Sequence, residues 1–430
     1  VDGFVERVDV QNVPEPLRER LQALTNPIVG QRGIRLSQIE RQILLAGDTY
    51  GVALGSALQA GATPGGTVIL LDPEYKQTTG FFGLDNSISD DLGGWKFDSG
   101  VELNGALGFG EVIYARASGN PSGFFSDDPT LRTLSFGGVV PLGFNGLTLN
   151  LEANQSLSTA DTDPEAPSEF ERYSVRLYYP WVRSRARNIT TQLSFDVQND
   201  RQDVVIGGVE QGVYKDELRV LRLSGDGFWL TPQGGSVELG ARLSLGLDSM
   251  GARSADDVNG GTPLSTPGAD ADFTKLELTG RYRMPLNEVY QLTVNGRVQT
   301  SFGEPLVKSE QMGIATAREI SAFDAGSLTG DRGWVMRAKL SRAFQAEAGG
   351  TAFSYSPYVF AAAGAVFLEE PTAEQQSETN ASAYGVGLDF FYPFQSKFSN
   401  ASVRIELAKG TRNDDASDGT RVSIAGNFRF

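Results

Sequence analysis

The stretch Tyr290-Gln291-Leu292-Thr293-Val294-Asn295-Gly296-Arg297-Val298-Gln299-Thr300 decides the fold. Tyr290, Leu292, Val294 and Val298 fall on one face, and Gln291, Thr293, Asn295, Arg297 and Gln299 on the other. A period of two with one apolar and one polar face marks a strand that meets a different medium on each side. This strand, Glu288–Thr300, leads into a long interruption, residues 301–330, and then into a second strand, Asp331–Arg342. There Trp334, Met336, Ala338 and Leu340 oppose Val335, Arg337, Lys339 and Ser341. An insertion of this length exceeds what a turn needs and is either functional or disordered.

Outward from this pair the same pattern fills the chain from Gly80 to Phe430, in about 16 segments separated by turns. Leu147, Leu149, Leu151 and Ala153 alternate with Thr148, Asn150, Glu152 and Asn154; Val237, Leu239, Ala241, Leu243 and Leu245 alternate with Glu238, Arg242 and Ser244. One register, in Glu217–Asp226, slips at Val220-Leu221, which predicts a bulge. So many apolar rows would form an enormous exposed patch in water. Lipid resolves the conflict, because a closed barrel leaves no unpaired backbone edge in a bilayer. The reading is therefore an all-β transmembrane barrel of antiparallel strands. Short connections (Pro141–Gly146, Thr231–Gly235, Pro285–Asn287) contrast with long polar ones (Ala160–Ser168, Ser249–Asp270, Leu368–Asn380, Lys409–Thr420). In outer-membrane barrels the long set faces outward.

Composition narrows the chemistry. The 430 residues include 51 glycines, no cysteine and no histidine, and the formal charge is −16. These absences remove disulfides, thiolate and imidazole metal sites, and Ser-His-Asp catalysis. The acidic balance argues against nucleic acid as a partner. No run of about 18 apolar residues marks a transmembrane helix, and no phosphate-binding loop of the Gly-x-x-x-x-Gly-Lys-Ser/Thr type occurs. Carboxylate pairs such as Asp127-Asp128 are too common to read as catalytic, so neither an enzyme nor a cofactor is expected. The clusters Asp256-Asp257, Asp270 with Asp272, and Asp414-Asp415 suit calcium by ligand type. Solvated loop charges are the favoured reading, with no metal. No signal peptide opens the chain at Val1, the pattern of a mature or trimmed chain.

Residues 1–78 differ from the rest. Phe4–Val10 reads as a strand; Pro14 and Pro16 lead into a helix with Leu17, Leu21 and Leu24 on one side; Ser37-Gln38-Ile39-Glu40 reads as a capping box that opens a second helix over Ile39, Ile43 and Ala46. Strands Val52–Leu58 and Thr67–Asp72 follow, joined by Gly61-Ala62-Thr63-Pro64-Gly65-Gly66. The order is β-α-α-β-β. The uncharged run Val52, Ala53, Leu54, Gly55 and Ser56 reads either as an open edge, able to add an extended client as a further strand, or as a covered strand.

This order resembles the POTRA domain that precedes Omp85-superfamily barrels. A POTRA-like domain at 1–78, a barrel of about 16 strands at 79–430, and a long loop between the eleventh and twelfth strands together resemble the TpsB transporters of two-partner secretion, the ShlB/FhaC/HecB family. Gly83-Leu84-Asp85-Asn86 at the barrel start and Gly326-Ser327-Leu328-Thr329-Gly330-Asp331-Arg332-Gly333-Trp334 after the loop tip match it locally. The resemblance implies a bacterial outer-membrane barrel with its POTRA domain in the periplasm, and assembly signals at Phe428 and the terminal Phe430 read by the barrel-assembly machinery. It also implies an unfolded exoprotein as partner, exported through the barrel without nucleotide. Members usually carry two POTRA domains and a plug helix; only the second POTRA has a counterpart here.

The family loop enters the lumen and carries Val-Arg-Gly-Tyr/Phe at its tip, whose arginine pairs with the aspartate of Phe-x-Asp-x-Gly on the wall. Here the tip reads Ile320-Ser321-Ala322-Phe323 and the wall Phe360-Ala361-Ala362-Ala363-Gly364. Ser321 replaces the arginine and Ala362 the aspartate. Losing one member of a buried pair strands the other charge at about 3–5 kcal/mol, whereas losing both is nearly neutral. The loop is therefore expected inside the lumen, held by Phe323 or Arg318. Arg297, Arg337, Lys339, Arg404 and Glu406 face the lumen, as pore residues in contact with water or with a passing chain. The alternative to transport is a secretion-inactive barrel serving as anchor or scaffold in a larger surface assembly. An ordinary porin would leave the leading domain unexplained.

Overall fold

Alternation becomes architecture because each strand has somewhere to put both faces. The computed structural model describes residues 3–10, 13–414, 416 and 418–430. The leading domain runs β1 (Phe4–Asp9), α1 (Glu15–Thr25), α2 (Leu36–Gly47), β2 (Val52–Ala60) and β3 (Gly66–Tyr75). Pro16 lies in the first turn of α1, where its missing N–H costs nothing. Leu17, Leu21 and Leu24, one helical face, are fully buried with Leu45 and Ala46 of α2 against Val5, Ile69 and Leu71. The capping box sits earlier than Ser37: Arg35 is the N-cap, and its backbone N–H donates to Gln38 Oε1 at 3.1 Å. The sheet order is β1-β3-β2, with β1 parallel and β2 antiparallel to β3.

The barrel strands are β4 (Thr78–Asp85), β5 (Lys96–Asn104), β6 (Val112–Gly119), β7 (Arg132–Pro141), β8 (Thr148–Ala160), β9 (Ala166–Arg183), β10 (Arg187–Ile206), β11 (Val209–Leu230), β12 (Ser236–Gly246), β13 (Thr274–Pro285) and β14 (Tyr290–Thr300). The loop holds β15 (Met312–Gly313) and β16 (Thr329–Gly330). Then come β17 (Arg332–Arg342), β18 (Phe344–Ala348), β19 (Thr351–Phe367), β20 (Glu378–Pro393), β21 (Asn400–Arg412) and β22 (Gly419–Arg429). The sheet closes β22 onto β4. Because β17 and β18 both pair with β19, they are one strand interrupted at Ala343, and the closed antiparallel barrel has sixteen strands.

Leu151, Val175, Leu223, Leu239, Val298, Val386 and Ile405 stand outward, each 46–53% exposed, while their sequence neighbours turn into the lumen. Aromatic pairs ring the short-turn end (Tyr179 with Trp181, Phe344 with Tyr355, Phe394 with Phe428), and Phe82, Phe97, Phe124 and Phe125 stack at the other. Such girdles mark the two membrane–water boundaries.

Val220 and Leu221 contain no bulge. Val220 pairs with Gly246 and Leu221 with Leu245 in unbroken register, and the β10–β11 ladder shifts only between Gln202 and Asp203. The pattern slips because Val220 is a lumenal residue that is nonetheless apolar: with Leu218 it is buried by Ala269, Ala271, Phe273, Leu306 and Val307 from two inward-folded loops. Strands also run further than alternation indicated. β8 and β9 leave only residues 161–165 between them, and β21 and β22 only 413–418. Within the loops the acidic clusters serve as local ties. Asp257 accepts from Ser254, Asp270 from the N–H groups of Ala255 and Ala271, and Asp414 pairs with Arg412. Asp415 lies outside the described residues.

The leading domain sits against the short turns. Asp48 accepts from Nη2 and Nε of Arg183 at 2.6 and 2.8 Å, Arg41 donates to Asn145 O at 3.2 Å, Tyr75 donates to Asn104 O at 2.7 Å, and Ser396 donates to Glu74 at 2.6 Å.

Candidate functional site: the lumenal loop and its wall

After Thr300 the chain turns inward through Phe302 and Gly303, both with positive φ (56° and 94°). Leu306 and Val307 enter the small core just described, and the two-rung hairpin β15–β16 carries the loop on. Asp331 fastens its base. Fully buried, it accepts from Leu306 N at 2.9 Å, Gln311 Nε2 at 3.1 Å and Glu369 N at 2.8 Å, tying both loop ends to the next long loop.

Three charged contacts hold the loop to the wall. At the first, Glu310 meets Arg222 at 2.6 Å and Lys275 at 2.7 Å, with Gln198 donating at 3.2 Å. Burial by itself raises the Glu310 pKa; the charges of Lys275 and Arg222 and their hydrogen bonds outweigh it and bring the value down to about 2. At the second, Glu319 takes Arg297 in a two-pronged pair at 2.8 and 2.9 Å, and Thr316 Oγ1 donates to the same carboxylate at 3.0 Å. At the third, the tip, Ser321 Oγ donates to Glu406, which also receives Arg337 and, at 2.6 Å, the Tyr358 hydroxyl. Arg337 donates to Ser321 Oγ at 3.1 Å and lies 3.6 Å from the centre of the Phe360 ring. Arg337 and Glu406 are 4% and 1% exposed, so this pair is desolvated and each charge depends on the other.

The predicted tip and wall residues thus come together. Ile320 is fully buried; Ala322 and Phe323 lie against Ala381, Ala383 and Ala408. Gly410 is required there: a Cβ on it would stand 2.6 Å from that of Ala322 and 2.8 Å from Phe323. Phe360 lies under Arg337, Ala362 pairs in register with Arg337, and a Cβ on Gly364 would stand 3.2 Å from Ile314 Cδ1 of the loop. Arg318 is exposed, and among the described residues its side chain has no ionic partner; its neighbour Glu319 does the holding. Nor are the lumenal charges free pore residues. Arg297, Arg337 and Glu406 grip the loop, and Lys339 and Arg404 share Asp389 at 2.8 and 2.7 Å. Open space remains beside the loop, a cavity of about 710 Å³ bordered by Arg281, Arg318 and Glu238.

The remaining predicted residues lie elsewhere. Val52, Ala53, Leu54, Gly55 and Ser56 are in β2, an outer strand of the leading sheet with β3 as its one neighbour. β1, on the other side, is bridged by Val29 and Arg32. The outer half of β2 is exposed, Leu58 at 70%. Phe428 stacks on Phe430, and Phe430 exchanges two backbone hydrogen bonds of 3.0 Å with Gly80, ending the seam. Asn86 extends it by bonding Val422 O and Ile424 N, both at 2.8 Å.

Residues 65–390 match the family described as haemolysin secretion/activation protein ShlB/FhaC/HecB. The chain belongs to this family. Members are secretion transporters of the outer membrane with an Omp85-type barrel and a secreted exoprotein as partner. Among solved structures, CdiB from Escherichia coli is similar over 100% of this chain and 77% of its own, with a TM-score of 0.77 at 16% identity. CdiB from Acinetobacter baumannii gives 0.71 at 12% identity, covering 100% and 74%. BamA from Haemophilus ducreyi lacking POTRA domains 1-3 gives 0.57 at 13%, covering 100% and 85%. These likenesses concern the fold. No curated protein matches. Against the family pattern, the arginine missing from the tip and the acid missing from the wall have counterparts in Arg337 and Glu406, with Ser321 bridging to both.

Proposed function

We propose that this chain carries an unfolded partner exoprotein from periplasm to cell surface through its own lumen, without nucleotide, with the leading domain on the periplasmic side. The observation that carries the reading is the loop folded into the lumen and held at Glu310, Glu319 and Ser321 by side chains of the wall. A barrel that had become a passive anchor would have no use for the buried Arg337–Glu406 pair of the wall receiving Ser321 of the loop. That pair favours transport over the scaffold reading, which rested on the altered tip.

The client first meets the leading domain. β2 presents an unpaired backbone edge, Val52 through Ser56 and on to the exposed Leu58, on which an extended chain adds as a further strand. It then threads past the displaced loop, with its folding outside drawing it forward. Phe428 and Phe430 serve earlier, as the signal by which the assembly machinery takes up the barrel.

The chain has no cysteine, so a single engineered disulfide reports cleanly. Ala322→Cys with Gly410→Cys places two Cβ atoms 2.6 Å apart, with the Phe323 ring 2.8 Å from the second; in a Phe323→Ala background the ring is out of the way, and a local shift brings the two Cβ atoms into the about 3.5–4.5 Å that a disulfide spans. Oxidised, the pair pins the tip and should stop export of a co-expressed exoprotein partner; reduction should restore it. Undiminished export through a fully closed disulfide refutes the reading.

A further inference from the structure

The lumenal face of β9–β13 carries a pattern that gripping a loop does not require. Arg176, Ser194, Arg222, Ser244 and Lys275 stand directly opposite one another on five successive strands, cation alternating with serine. The short serine side chains leave a hollow between the long cationic ones. The resulting cavity, about 260 Å³, is bordered also by Arg172, Arg242 and Asp196, and Ser309 and Glu310 of the loop close it.

Its charges do not balance locally. Five cations border it, with the two carboxylates Asp196 and Glu310. Glu152 serves Arg176 and Arg172 from one side at 2.9 and 3.5 Å, and Arg242 reaches Glu277 only at 4.0 Å. The carboxylate at the centre belongs to the loop, not to the wall. Glu310 is met there by a guanidinium fork, an ammonium and a side-chain amide. This is the donor set by which proteins receive a free carboxylate or phosphate. Among the described residues Arg172 Nε and Ser309 Oγ, both buried, have no hydrogen-bond partner, so the hollow holds donor capacity that Glu310 does not use, beside one unpartnered acceptor, Asp196 Oδ1.

We propose that this socket is an oxyanion subsite which Glu310 occupies as an internal ligand, and which takes a foreign oxyanion when the loop withdraws. Two sources share that chemistry, an acidic side chain on an extended peptide in the lumen and free inorganic phosphate. The subsite itself does not depend on the transport reading; only the peptide source does. Withdrawal of Glu310 leaves Arg222 and Lys275 facing the lumen with Asp196 as their one close acid, and an acidic peptide segment there would compete with the return of the loop.

The test compares binding of a fluorescent Asp-Gly repeat peptide, a Ser-Gly control peptide and inorganic phosphate to the full chain in detergent. If Glu310 fills the site, Glu310→Ala empties it, and the variant should bind the Asp-Gly peptide or phosphate at least about tenfold more tightly than the unaltered chain. The gain should fade with added salt and vanish when Arg222→Gln and Lys275→Gln are added. Glu310→Gln, nearly the same size, repeats the measurement with the barrel's heat-shifted gel band as proof of folding. Gain for the peptide assigns the site to client carboxylates; gain for phosphate alone assigns it to small anions. No gain in either folded variant, or a gain that survives loss of both cations, overturns the proposal. Neither result bears on the disulfide experiment, so the two readings fail separately.

Discussion

Arg337 occupies the position on which the site turns. Its guanidinium is flanked by Glu406, Ser321, the Glu319 carbonyl and the Phe360 ring, nearly out of contact with water. Arg337→Ala should strand Glu406 and cost about 3–5 kcal/mol, while Arg337→Met with Glu406→Leu should cost less, its remaining penalty coming from the Ser321 and Tyr358 hydroxyls left without their acceptor. Urea denaturation of the refolded barrel in vesicles measures both. Glu310 makes a pH prediction. Its carboxyl titrates near 2 in the folded chain against 4.5 for the free group, so its hold is complete above about pH 4.5 and lost as pH falls toward about 2. An environment-sensitive dye on Arg318→Cys, the chain's sole cysteine, should report loop release in that window. In Glu310→Gln the share of the acid transition that this contact contributes should be absent. None of these contacts was legible in the sequence, because Arg337 and Glu406 lie 69 residues apart and meet only through barrel closure. The tip and wall motifs pointed to the right place while hiding the substitute pair.

Among the elements, strands were the most legible. Alternation repeated along the whole barrel gives a pattern that neither a helix nor a soluble sheet satisfies. It misled at Val220, where an apolar residue faces the lumen because inward-folded loops make that part of the lumen dry. The same exception recurs as Ala362, Gly364, Ala381, Ala383, Ala408 and Gly410, small residues at lumenal positions elsewhere held by polar ones. Read as a set, they trace the bed of the loop, a signal present in the sequence and passed over. Bulk in that bed should expel the tip: Gly410→Val collides with Ala322 and Phe323 and should raise the open fraction severalfold in single-channel recordings. For the leading domain, the edge position of β2 required coordinates, since the residues fit an outer or an inner strand equally. A charge on that edge blocks strand addition. Leu58→Lys should therefore lower export severalfold while the folded barrel band is unchanged; equal export would remove β2 as the docking edge.

At the scale of the whole molecule, the wall is uneven. β10 and β11 run 20 and 22 residues, while β4 has 8, and β22 meets β4 through only five residue pairs. The charged loop contacts at Arg222, Lys275 and Arg297 lie on the tall β11 and, past β12, on β13 and β14, and the apolar bed lies toward the seam, where Arg421 also takes Asp324. The plug therefore braces one side of the ring against the other. Its removal should weaken the seam: a chain lacking residues 304–328 should lose its heat-shifted gel band at a lower temperature than the full chain.

The bonds between Gly80 and Phe430 have one more consequence. The first strand of the cylinder, β4, waits for β22, with every other barrel strand already placed between them. A message cut before Ala425 removes every residue of β22 that pairs with β4 and yields a ribbon with two raw margins, so quality control is built into the order of the text.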